Sequence, residues 1–402
     1  LRFKENLTPI DEGVQPMAVI NRIAAFADDM TAWRRHLHQH PELGLDCHET
    51  AGFIAERLRE FGITRIEEGI AQSGLVAIIE GRGEGPTIGL RADIDALPIL
   101  EATGAKHAST VPGRMHACGH DGHVTMLLGA AKYLAETRNF DGTVVLIFQP
   151  AEEGGAGAKA MIDDGLFTRW QIDEVYGIHN APGVPVGTIV TRPGPLQASS
   201  DEFEIVVQGK GGHAAEPHKA VDTTLVAAHI VIALHSIVSR NVDALARVVL
   251  TVGTFKTDSN ASNIIPDVAR MEGTVRTLDP EYRAMMEDRI RAVATHTAAA
   301  FGAEAEVIWH PGYPVTINDA EGAAHAVAAA RAVANAVDDD VDPIMPSEDF
   351  SYMLEQRPGA YIFLGNGDSA MCHHPKYVFD DEAMPYGMSF FAEIVERRLK
   401  AV

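Results

Sequence analysis

Regular spacing of apolar residues divides the first half of the chain into alternating helices and strands. Apolar positions three and four residues apart predict helices over 19–38, 49–61 and 123–136. Short apolar runs predict strands over 75–80, 87–91, 142–148 and 174–178. Because helices alternate with largely apolar strands, we expect an α/β domain with a buried, mainly parallel sheet.

The pattern changes in the middle of the chain. The predicted elements there follow the order β-α-β-β-α-β, with strand 204–208, helix 222–240, strands 247–255 and 269–277, helix 280–301 and strand 303–309. We interpret this segment as an inserted ferredoxin-like domain with a four-stranded antiparallel sheet. The α/β pattern then resumes with helices over 320–337 and 381–400 and a strand over 360–364. The predicted domains are therefore a discontinuous α/β domain, 17–198 with 310–402, and an inserted domain, 199–309.

The charge of the chain argues against two classes of partner. The sequence has 33 Lys and Arg residues against 56 Asp and Glu residues, which gives a formal net charge of −23. Nucleic acids and anionic lipid surfaces repel such an acidic protein. The longest apolar run, Leu225 to Val238, contains His229 and His235 and is shorter than the roughly 18 residues that a membrane helix needs. We therefore expect neither a nucleic-acid nor a membrane partner.

The three cysteines, Cys47, Cys118 and Cys372, are widely spaced along the chain. They are too few for the disulfide framework of a small secreted domain. The N-terminal residues also lack the basic, apolar and small-residue order of a secretory signal. We therefore expect a cytoplasmic protein in which a special cysteine is a thiolate or a metal ligand.

The stretch 114–123 concentrates residues that bind metals. It reads Arg-Met-His-Ala-Cys-Gly-His-Asp-Gly-His and contains His116, Cys118, His120, Asp121 and His123 just before a predicted helix. Thiolate, imidazole and carboxylate groups are the usual ligands of borderline transition metals. Cys118 and His120 lie two residues apart in a glycine-containing turn and could direct their side chains at neighbouring ions. The alternative is a polar loop in which Asp121 caps the helix.

Further candidate ligands follow predicted strands, where open α/β sheets place their sites. Glu152 and Glu153 follow one strand, and His179 follows the next. Adjacent carboxylates can divide the work, because one can bind a metal while the other moves protons. The alternative is a pair of solvated surface residues. A last ligand would come from Cys372-His373-His374-Pro375, unless these histidines lie on the surface.

Six stretches carry a specific combination of motifs. They are 35–42 (Arg-His-Leu-His-Gln-His-Pro-Glu), 91–98 (Arg-Ala-Asp-Ile-Asp-Ala-Leu-Pro), 116–123, 149–154 (Gln-Pro-Ala-Glu-Glu-Gly), 177–180 (Gly-Ile-His-Asn) and 347–350 (Ser-Glu-Asp-Phe). Together, and in this order, they resemble the amidohydrolase branch of the dimetal aminoacylase and carboxypeptidase family. Hippurate hydrolases and indole-acetyl-amino-acid hydrolases belong to that branch. The resemblance extends from about Met17 to the C-terminus and includes the inserted domain.

The resemblance implies a site for two metal ions. Cys118 would bridge the ions, at a position where most relatives outside this branch have an aspartate. His120 and His179 would bind one ion, and Glu153 and His373 would bind the other. His374 remains an alternative to His373, which we favour.

The same resemblance implies roles for five further residues. Glu152 would be the general base that activates the attacking water, and Asp95 would orient a ligand imidazole. The inserted domain pairs two protomers in relatives, and His213 would stabilise the oxyanion in the partner's site. Asn263 and Arg276 would contact the substrate, since a guanidinium suits the α-carboxylate of an N-acyl amino acid. The alternatives are a glycine-rich hairpin turn around 209–213 and a surface salt bridge for Arg276.

These motifs predict a metal-dependent amidohydrolase that cleaves N-acyl amino acids, hippurate-like or N-acetylated, to a carboxylic acid and a free amino acid. Each subunit would hold two divalent ions, Mn²⁺ or Zn²⁺, although Co²⁺ and Ni²⁺ also suit these ligands. We expect a homodimer through the inserted domain, with further assembly left open. The alternatives are a dipeptidase or aminopeptidase of the same family and a non-catalytic metal-binding scaffold.

Overall fold

The computed structural model describes residues 19–401 and contains two compact units. Unit 1 comprises 19–196, 316–342 and 349–401, and unit 2 comprises 197–315 with 343–348. Unit 2 therefore interrupts the sequence of unit 1. The predicted start of the α/β domain at Met17 lies outside the described residues.

Helices and strands alternate through most of the described residues. The α-helices are α1 (Asn21–Ala24), α2 (Ala27–Gln39), α3 (His48–Glu60), α4 (His120–Thr137), α5 (Gly157–Asp163), α6 (Leu166–Arg169), α7 (Thr223–Asn241), α8 (Pro280–Ala300), α9 (Ala320–Val333), α10 (Ser351–Leu354) and α11 (Met384–Arg398). The strands are β1 (Ile66–Ile70), β2 (Gly74–Glu80), β3 (Thr87–Asp93), β4 (Thr143–Gln149), β5 (Glu174–Ala181), β6 (Thr188–Val190), β7 (Gly194–Gln197), β8 (Asp201–Gln208), β9 (Gly212–His213), β10 (Val248–Thr257), β11 (Ile264–Ile265), β12 (Val268–Thr277), β13 (Glu304–His310), β14 (Thr316–Asn318), β15 (Ala336–Asp338) and β16 (Gly359–Gly365). Short 3-10 helices cover Pro217–Lys219 and Asp381–Ala383.

Unit 1 is built on an eight-stranded sheet with the order β1-β2-β4-β3-β5-β16-β6-β15. The four neighbouring strands β4, β3, β5 and β16 are parallel. Strand β2 pairs antiparallel with both β1 and β4, and β6 pairs antiparallel with β16. Strand β15 pairs in parallel with β6, so four of the seven pairings are parallel and three are antiparallel. The sheet is therefore mixed, and the predicted parallel arrangement holds for its four central strands. The short connection 71–73 between β1 and β2 permits only a hairpin, which makes that pair antiparallel.

Helix α4 packs against β3 and against helices α2, α3 and α11, and most of its residues are buried. Its apolar spacing predicted a helix from 123, but the helix begins at His120. The preceding Gly119 has a φ of 90°, a left-handed conformation that glycine adopts readily. This turn places His120 and His123 on the same side of the first helical turn, with ring centroids 5.4 Å apart.

The predicted helix over 19–38 is divided into α1 and α2. The N–H of Phe26 bonds to the carbonyl of Ile23, three residues earlier, at 2.9 Å. This tighter turn ends α1, and α2 then begins one residue after Phe26.

The topology of the sheet of unit 1 creates a crevice at the end of β3. After β3 the chain passes through α4 to β4 on one side, and it then crosses to β5 on the other side of β3. The carboxyl ends of these parallel strands share one edge of the sheet. Open α/β sheets bind ligands where the strand order changes direction in this way.

Unit 2 has a four-stranded antiparallel sheet with the order β10-β12-β8-β13. Its elements follow the order β8, α7, β10, β12, α8, β13, and both helices pack on the strands. The buried apolar residues of the two helices recur every three or four positions and include Val226, Ile230, Leu234, Ile237, Met286 and Ile290. Strands β9 and β11 form a separate antiparallel pair.

Among the described residues, α7 is the one helix long and apolar enough, by length and composition alone, to cross a membrane. The sequence prediction counted only the run from Leu225 to Val238, and the helix extends beyond this run at both ends. One face of α7 packs on the sheet of unit 2, which accounts for part of its apolar character. The opposite face exposes Leu225 and Ile232.

Candidate metal centre

Five predicted ligands converge at the carboxyl edge of the sheet in unit 1. The ligand atoms of Cys118, His120 and His179 lie within 4.8 Å of one another, and so do those of Cys118, Glu153 and His373. These residues come from the turn before α4, the first turn of α4, the end of β5 and the loops after β4 and β16. Cys118 is the member that both groups share.

His120 and His179 each have one ring nitrogen fixed by a hydrogen bond. His120 Nδ1 donates to the carbonyl of Asp95 at 2.7 Å, and His179 Nδ1 donates to the carbonyl of Asn180 at 2.6 Å. His179 Nε2 lies 3.3 Å from Cys118 Sγ. His120 Nε2 is buried and has no hydrogen-bond partner among the described residues. Imidazoles held in this way present Nε2 to a metal.

Asp95 supports the site through both its main chain and its side chain. Its carbonyl accepts the hydrogen bond from His120, while its carboxylate lies 3.5 Å from the same ring nitrogen. The carboxylate accepts the backbone N–H groups of Glu152 at 3.0 Å and Glu153 at 3.1 Å. The side chain expected to orient an imidazole therefore also holds the backbone of the two glutamates.

Glu153 and His373 form the more exposed side of the site. Glu153 Oε1 lies 3.1 Å from His373 Nε2, and the His373 side chain is 55% exposed. His373 has a φ of 66°, a costly conformation for a residue other than glycine, and its N–H donates to the Ala117 carbonyl at 2.8 Å. His374 Nδ1 instead accepts the N–H of Lys376 at 3.1 Å. This geometry favours His373 over His374 as the ligand.

Negative charge surrounds His120. Burial alone would lower the pKa of His120, but the carboxylates of Asp93, Asp95 and Glu153 outweigh it and raise the pKa to about 10. Burial lowers the pKa of His179 to about 3, which keeps the ring neutral. The site thus combines a neutral imidazole with carboxylates that attract a cation.

Ionisation of the Cys118 thiol is unfavourable in this site. A hydrogen bond with Cys372, burial, and the charges of Glu153 and Glu152 raise the pKa of Cys118 well above its usual value. A coordinated sulfur is deprotonated by the ion that it binds. Metal binding at Cys118 would therefore release a proton.

Three residues of the stretch 114–123 lie outside this ligand set. His116 is buried, neither ring nitrogen has a partner among the described residues, and burial lowers its pKa to about 3. His123 donates Nδ1–H to Asp93 at 2.6 Å. Asp121 lies in the first turn of α4 but does not cap it, since no side-chain cap is formed. The helix-capping alternative is therefore wrong.

Asp121 belongs to a buried cluster of charges. Its Oδ2 accepts Nδ1–H of His38 at 2.8 Å and lies 3.4 Å from Arg34 Nη1. His38 Nε2 lies 3.5 Å from Glu101 Oε2. Burial would lower the pKa of His38, but Asp121 and Glu101 raise it to about 9. His38 is therefore a buried imidazolium at neutral pH.

His213 and Asn263 are neighbours in unit 2. His213 on β9 pairs with Ile264 on β11, and the Asn263 carbonyl accepts the N–H of Ala214 at 3.0 Å. The His213 side chain is exposed, and its Nδ1 accepts the N–H of Ala215 at 3.1 Å. Its neutral tautomer therefore presents Nε2–H as a donor.

Arg276 lies on β12 in unit 2 and is partly buried. Its Nη1 donates to Thr274 Oγ1 and, at 3.0 Å, to the carbonyl of Val275. Burial lowers the pKa of Arg276. An anion that reached this guanidinium would offset the cost of its burial.

Sequence reasoning assigned no role to Asp93 or Asn180, which both contact residues of the site. Asp93 is fully buried and binds His123, and the Asn180 carbonyl fixes His179. Both residues lie in the stretches 91–98 and 177–180, which contributed to the family resemblance. Their position in those stretches was the one indication in the sequence that they belong to the site, since neither spacing nor composition distinguishes them from other residues.

The chain is similar over most of its length to proteins that hydrolyse amides. Residues 89–397 match the family described as peptidase family M20/M25/M40. The chain is 45% identical over 367 residues to the N-acetyl-L-cysteine deacetylase of Bacillus subtilis (strain 168), with 91% of this chain and 87% of that protein covered. It is 40% identical over 386 residues to the hippurate hydrolase of Campylobacter jejuni, with 96% and 100% covered. A crystal structure of a dinuclear metal-binding peptidase from Bacillus subtilis matches with a TM-score of 0.83, 37% identity, and 94% and 100% covered.

The buried His38 predicts a loss of stability at alkaline pH. Its pKa in the folded protein, about 9, lies above the ordinary value of 6.5. Its contribution, about 3 kcal/mol at most, is fully present below pH 6.5 and is lost as the pH rises through 9. The free energy of unfolding, measured by denaturant titration between pH 6 and 9.5, should therefore fall more steeply for the wild type than for His38→Gln.

The control His48→Gln removes an exposed histidine 3.6 Å from Asp46 and should follow the wild type. Parallel pH curves for His38→Gln and the wild type would contradict this interpretation.

Proposed function

The chain belongs to peptidase family M20/M25/M40, and from this membership we propose that it is a metal-dependent amidohydrolase of N-acyl amino acids. The convergence of two groups of ligands on Cys118, with Glu152 beside them, is the observation that carries the proposal. The products are a carboxylic acid and a free amino acid. The free cysteines and the acidic charge support a reducing, cytoplasmic location.

The residues of the site fit two divalent cations. His120 Nε2 has no hydrogen-bond partner in the described part of the chain, and this nitrogen, the surrounding carboxylates and the high pKa of the Cys118 thiol all favour a positive ion. His120 and His179 would hold one ion, Glu153 and His373 the other, and Cys118 both. Thiolate, imidazole and carboxylate ligands suit Zn²⁺ and Mn²⁺, and also Co²⁺ and Ni²⁺. When bound, the ions supply Lewis acidity that polarises the amide carbonyl and lowers the pKa of the attacking water.

Glu152 is the proposed general base. Its carboxylate lies within 4.8 Å of the ligand atoms of His120 and Glu153, and its backbone is held by Asp95. In this position it can take a proton from the attacking water and deliver it to the leaving nitrogen. Asp95 keeps the two glutamates in a fixed relation, so that one binds metal while the other remains available for the proton.

Residues of unit 2 complete the proposed mechanism. His213 presents Nε2–H, the donor that a developing oxyanion needs, and comes from the partner subunit. Arg276 receives the α-carboxylate of the substrate, and Asn263, next to His213, contacts the substrate. The fork of a guanidinium matches a carboxylate, which favours an N-acyl amino acid over a neutral amide.

Two copies of the chain pair through unit 2 in this proposal, with residues 199–309 forming a ferredoxin-like dimerisation domain. The outer face of α7 exposes Leu225 and Ile232. Strand β10, at the edge of the sheet, exposes Val249 and Phe255. Apolar side chains beside an open sheet edge support burial against a second copy.

The proposed reaction predicts a substrate preference. The enzyme loaded with Mn²⁺ or Zn²⁺ should release free amino acid from acetyl, benzoyl or indole-acetyl amino acids. The corresponding N-acyl amino acid amides lack the carboxylate for Arg276 and should react up to about a hundredfold more slowly, since a hydrogen bond to a charged group contributes about 1.5–3 kcal/mol. Release of the amino acid, measured by amine detection, provides the assay. Turnover of dipeptides without turnover of any N-acyl amino acid would favour a dipeptidase instead.

The two adjacent glutamates should respond differently to the same substitution. Glu152→Gln should keep its metal and fold but lose at least about a hundredfold in kcat, since it removes the general base. Glu153→Gln should lose metal, because it removes a ligand. Metal analysis after gel filtration, together with kcat, distinguishes the two roles. Full metal occupancy in both variants would refute the division of roles.

If His213 of one subunit acts in the active site of its partner, two inactive variants should restore each other's activity. His213→Ala and Glu152→Gln proteins should each be nearly inactive, but a hybrid dimer contains one site with an intact Glu152 and an intact partner histidine. Random exchange of equal amounts makes about half of the dimers hybrids with one good site, so activity should recover to about a quarter of wild type. Mass spectrometry of the mixed dimers verifies exchange. No recovery after verified exchange would mean that His213 does not act across the interface.

A further inference from the structure

Asn180 joins two of the proposed metal ligands although they lie in different parts of the chain. It is almost fully buried at the end of β5, next to His179. Its carbonyl accepts Nδ1–H of His179 at 2.6 Å. Its side-chain Nδ2 donates to the carbonyl of Cys118 at 2.5 Å. One residue therefore fixes the ring of one ligand and the main chain of another.

Contacts to both the oxygen and the nitrogen of the Asn180 side-chain amide fix its orientation. Tyr377, which is buried, donates its hydroxyl hydrogen to Asn180 Oδ1 at 2.8 Å. His123 Nε2 accepts the backbone N–H of Asn180 at 3.0 Å and lies 3.1 Å from its Nδ2. Because His123 donates Nδ1–H to Asp93, its Nε2 is free to accept. Asp93 in turn accepts from Arg91 at 2.6 Å.

Gly119 provides the space that this arrangement requires. A Cβ atom at Gly119 would lie 2.4 Å from Asn180 Nδ2 and 2.4 Å from the Tyr377 hydroxyl oxygen. The turn that carries Cys118 can therefore approach Asn180 only because residue 119 has no side chain. Close contact, burial and a complete set of hydrogen bonds all restrict the position of Cys118 relative to His179.

We propose that Asn180 is a positioning residue that sets the separation of Cys118 and His179 and so determines how tightly the site binds metal. The proposal rests on the metal site described above. Partners that orient metal ligands typically change affinity about 10- to 100-fold when they are lost. A purely structural asparagine would instead affect stability without affecting metal affinity.

Asn318 offers a matched control for the test. It is buried to the same extent in unit 1, and its Nδ2 lies 3.1 Å from Thr191 Oγ1, 2.9 Å from the Arg192 carbonyl and 3.0 Å from the Tyr361 carbonyl. Its Oδ1 accepts the N–H of Tyr361. None of these partners is a proposed metal ligand. Replacement of either asparagine by leucine removes a comparable buried network while nearly conserving side-chain shape.

The experiment compares Asn180→Leu and Asn318→Leu with the wild type. Affinity is measured for Zn²⁺ by competition with a chromogenic chelator, and Co²⁺-loaded protein is examined for thiolate-to-metal charge-transfer absorption. We expect Asn180→Leu to lose about 10- to 100-fold in Zn²⁺ affinity and to show an altered charge-transfer band. Asn318→Leu should lower the melting temperature but keep the wild-type affinity and spectrum.

Tyr377→Phe keeps the test valid if Asn180→Leu does not fold. It removes one hydroxyl, leaves the ring in place and should weaken Zn²⁺ binding severalfold by freeing the Asn180 amide. Unchanged affinity in the folded Asn180 and Tyr377 variants would overturn the inference, as would an equal loss in Asn318→Leu. Failure of the wild type itself to bind Zn²⁺ or Co²⁺ would instead refute the proposed metal site. The two failures are therefore distinguishable.

Discussion

The buried carboxylate of Asp95 is the constraint on which the geometry of the site depends. It accepts two successive backbone N–H groups after β4, while the carbonyl of the same residue accepts a hydrogen bond from His120. A buried carboxylate without such donors would be very costly. The loop that carries Glu152 and Glu153 therefore closes around Asp95, and the same contacts fix the backbone of both glutamates and the ring of His120.

This arrangement concentrates negative charge at one sheet edge. Asp93, Asp95 and Glu153 surround His120, and Cys118 lies where ionisation is unfavourable without a cation. Arg91 balances part of the charge on Asp93 at 2.6 Å, and its other amino group binds Asp349 at 2.9 Å. Arg91 thus neutralises part of the negative charge next to the site. The remaining carboxylate charge around His120 can attract cations.

Local patterns predicted much of the fold but less of the site. The apolar spacing of α4 was sufficient to place the helix, whereas its start at His120 depends on the positive φ of Gly119. The antiparallel pairing of β6 with β16 joins segments far apart in sequence, so no local pattern indicated it. The pairing of Glu153 with His373 was likewise available only through the family resemblance. Hydrogen-bonding partners such as Asn180 depend on three-dimensional contacts that spacing does not encode.

The position of β16 has a consequence for biosynthesis. This strand is the last in the described chain, yet it lies between β5 and β6 in the sheet. Strand β5 can pair with β3 earlier, but β6 cannot join the sheet beside it until the ribosome has made residues 359–365, and closing such a long loop slows folding. His373 follows β16 in the sequence, so a nascent chain that already contains Cys118 and His179 still lacks one of the five proposed ligands. In the proposed site, the Cys118 thiol therefore gains its full set of metal-binding neighbours only after His373 has been made.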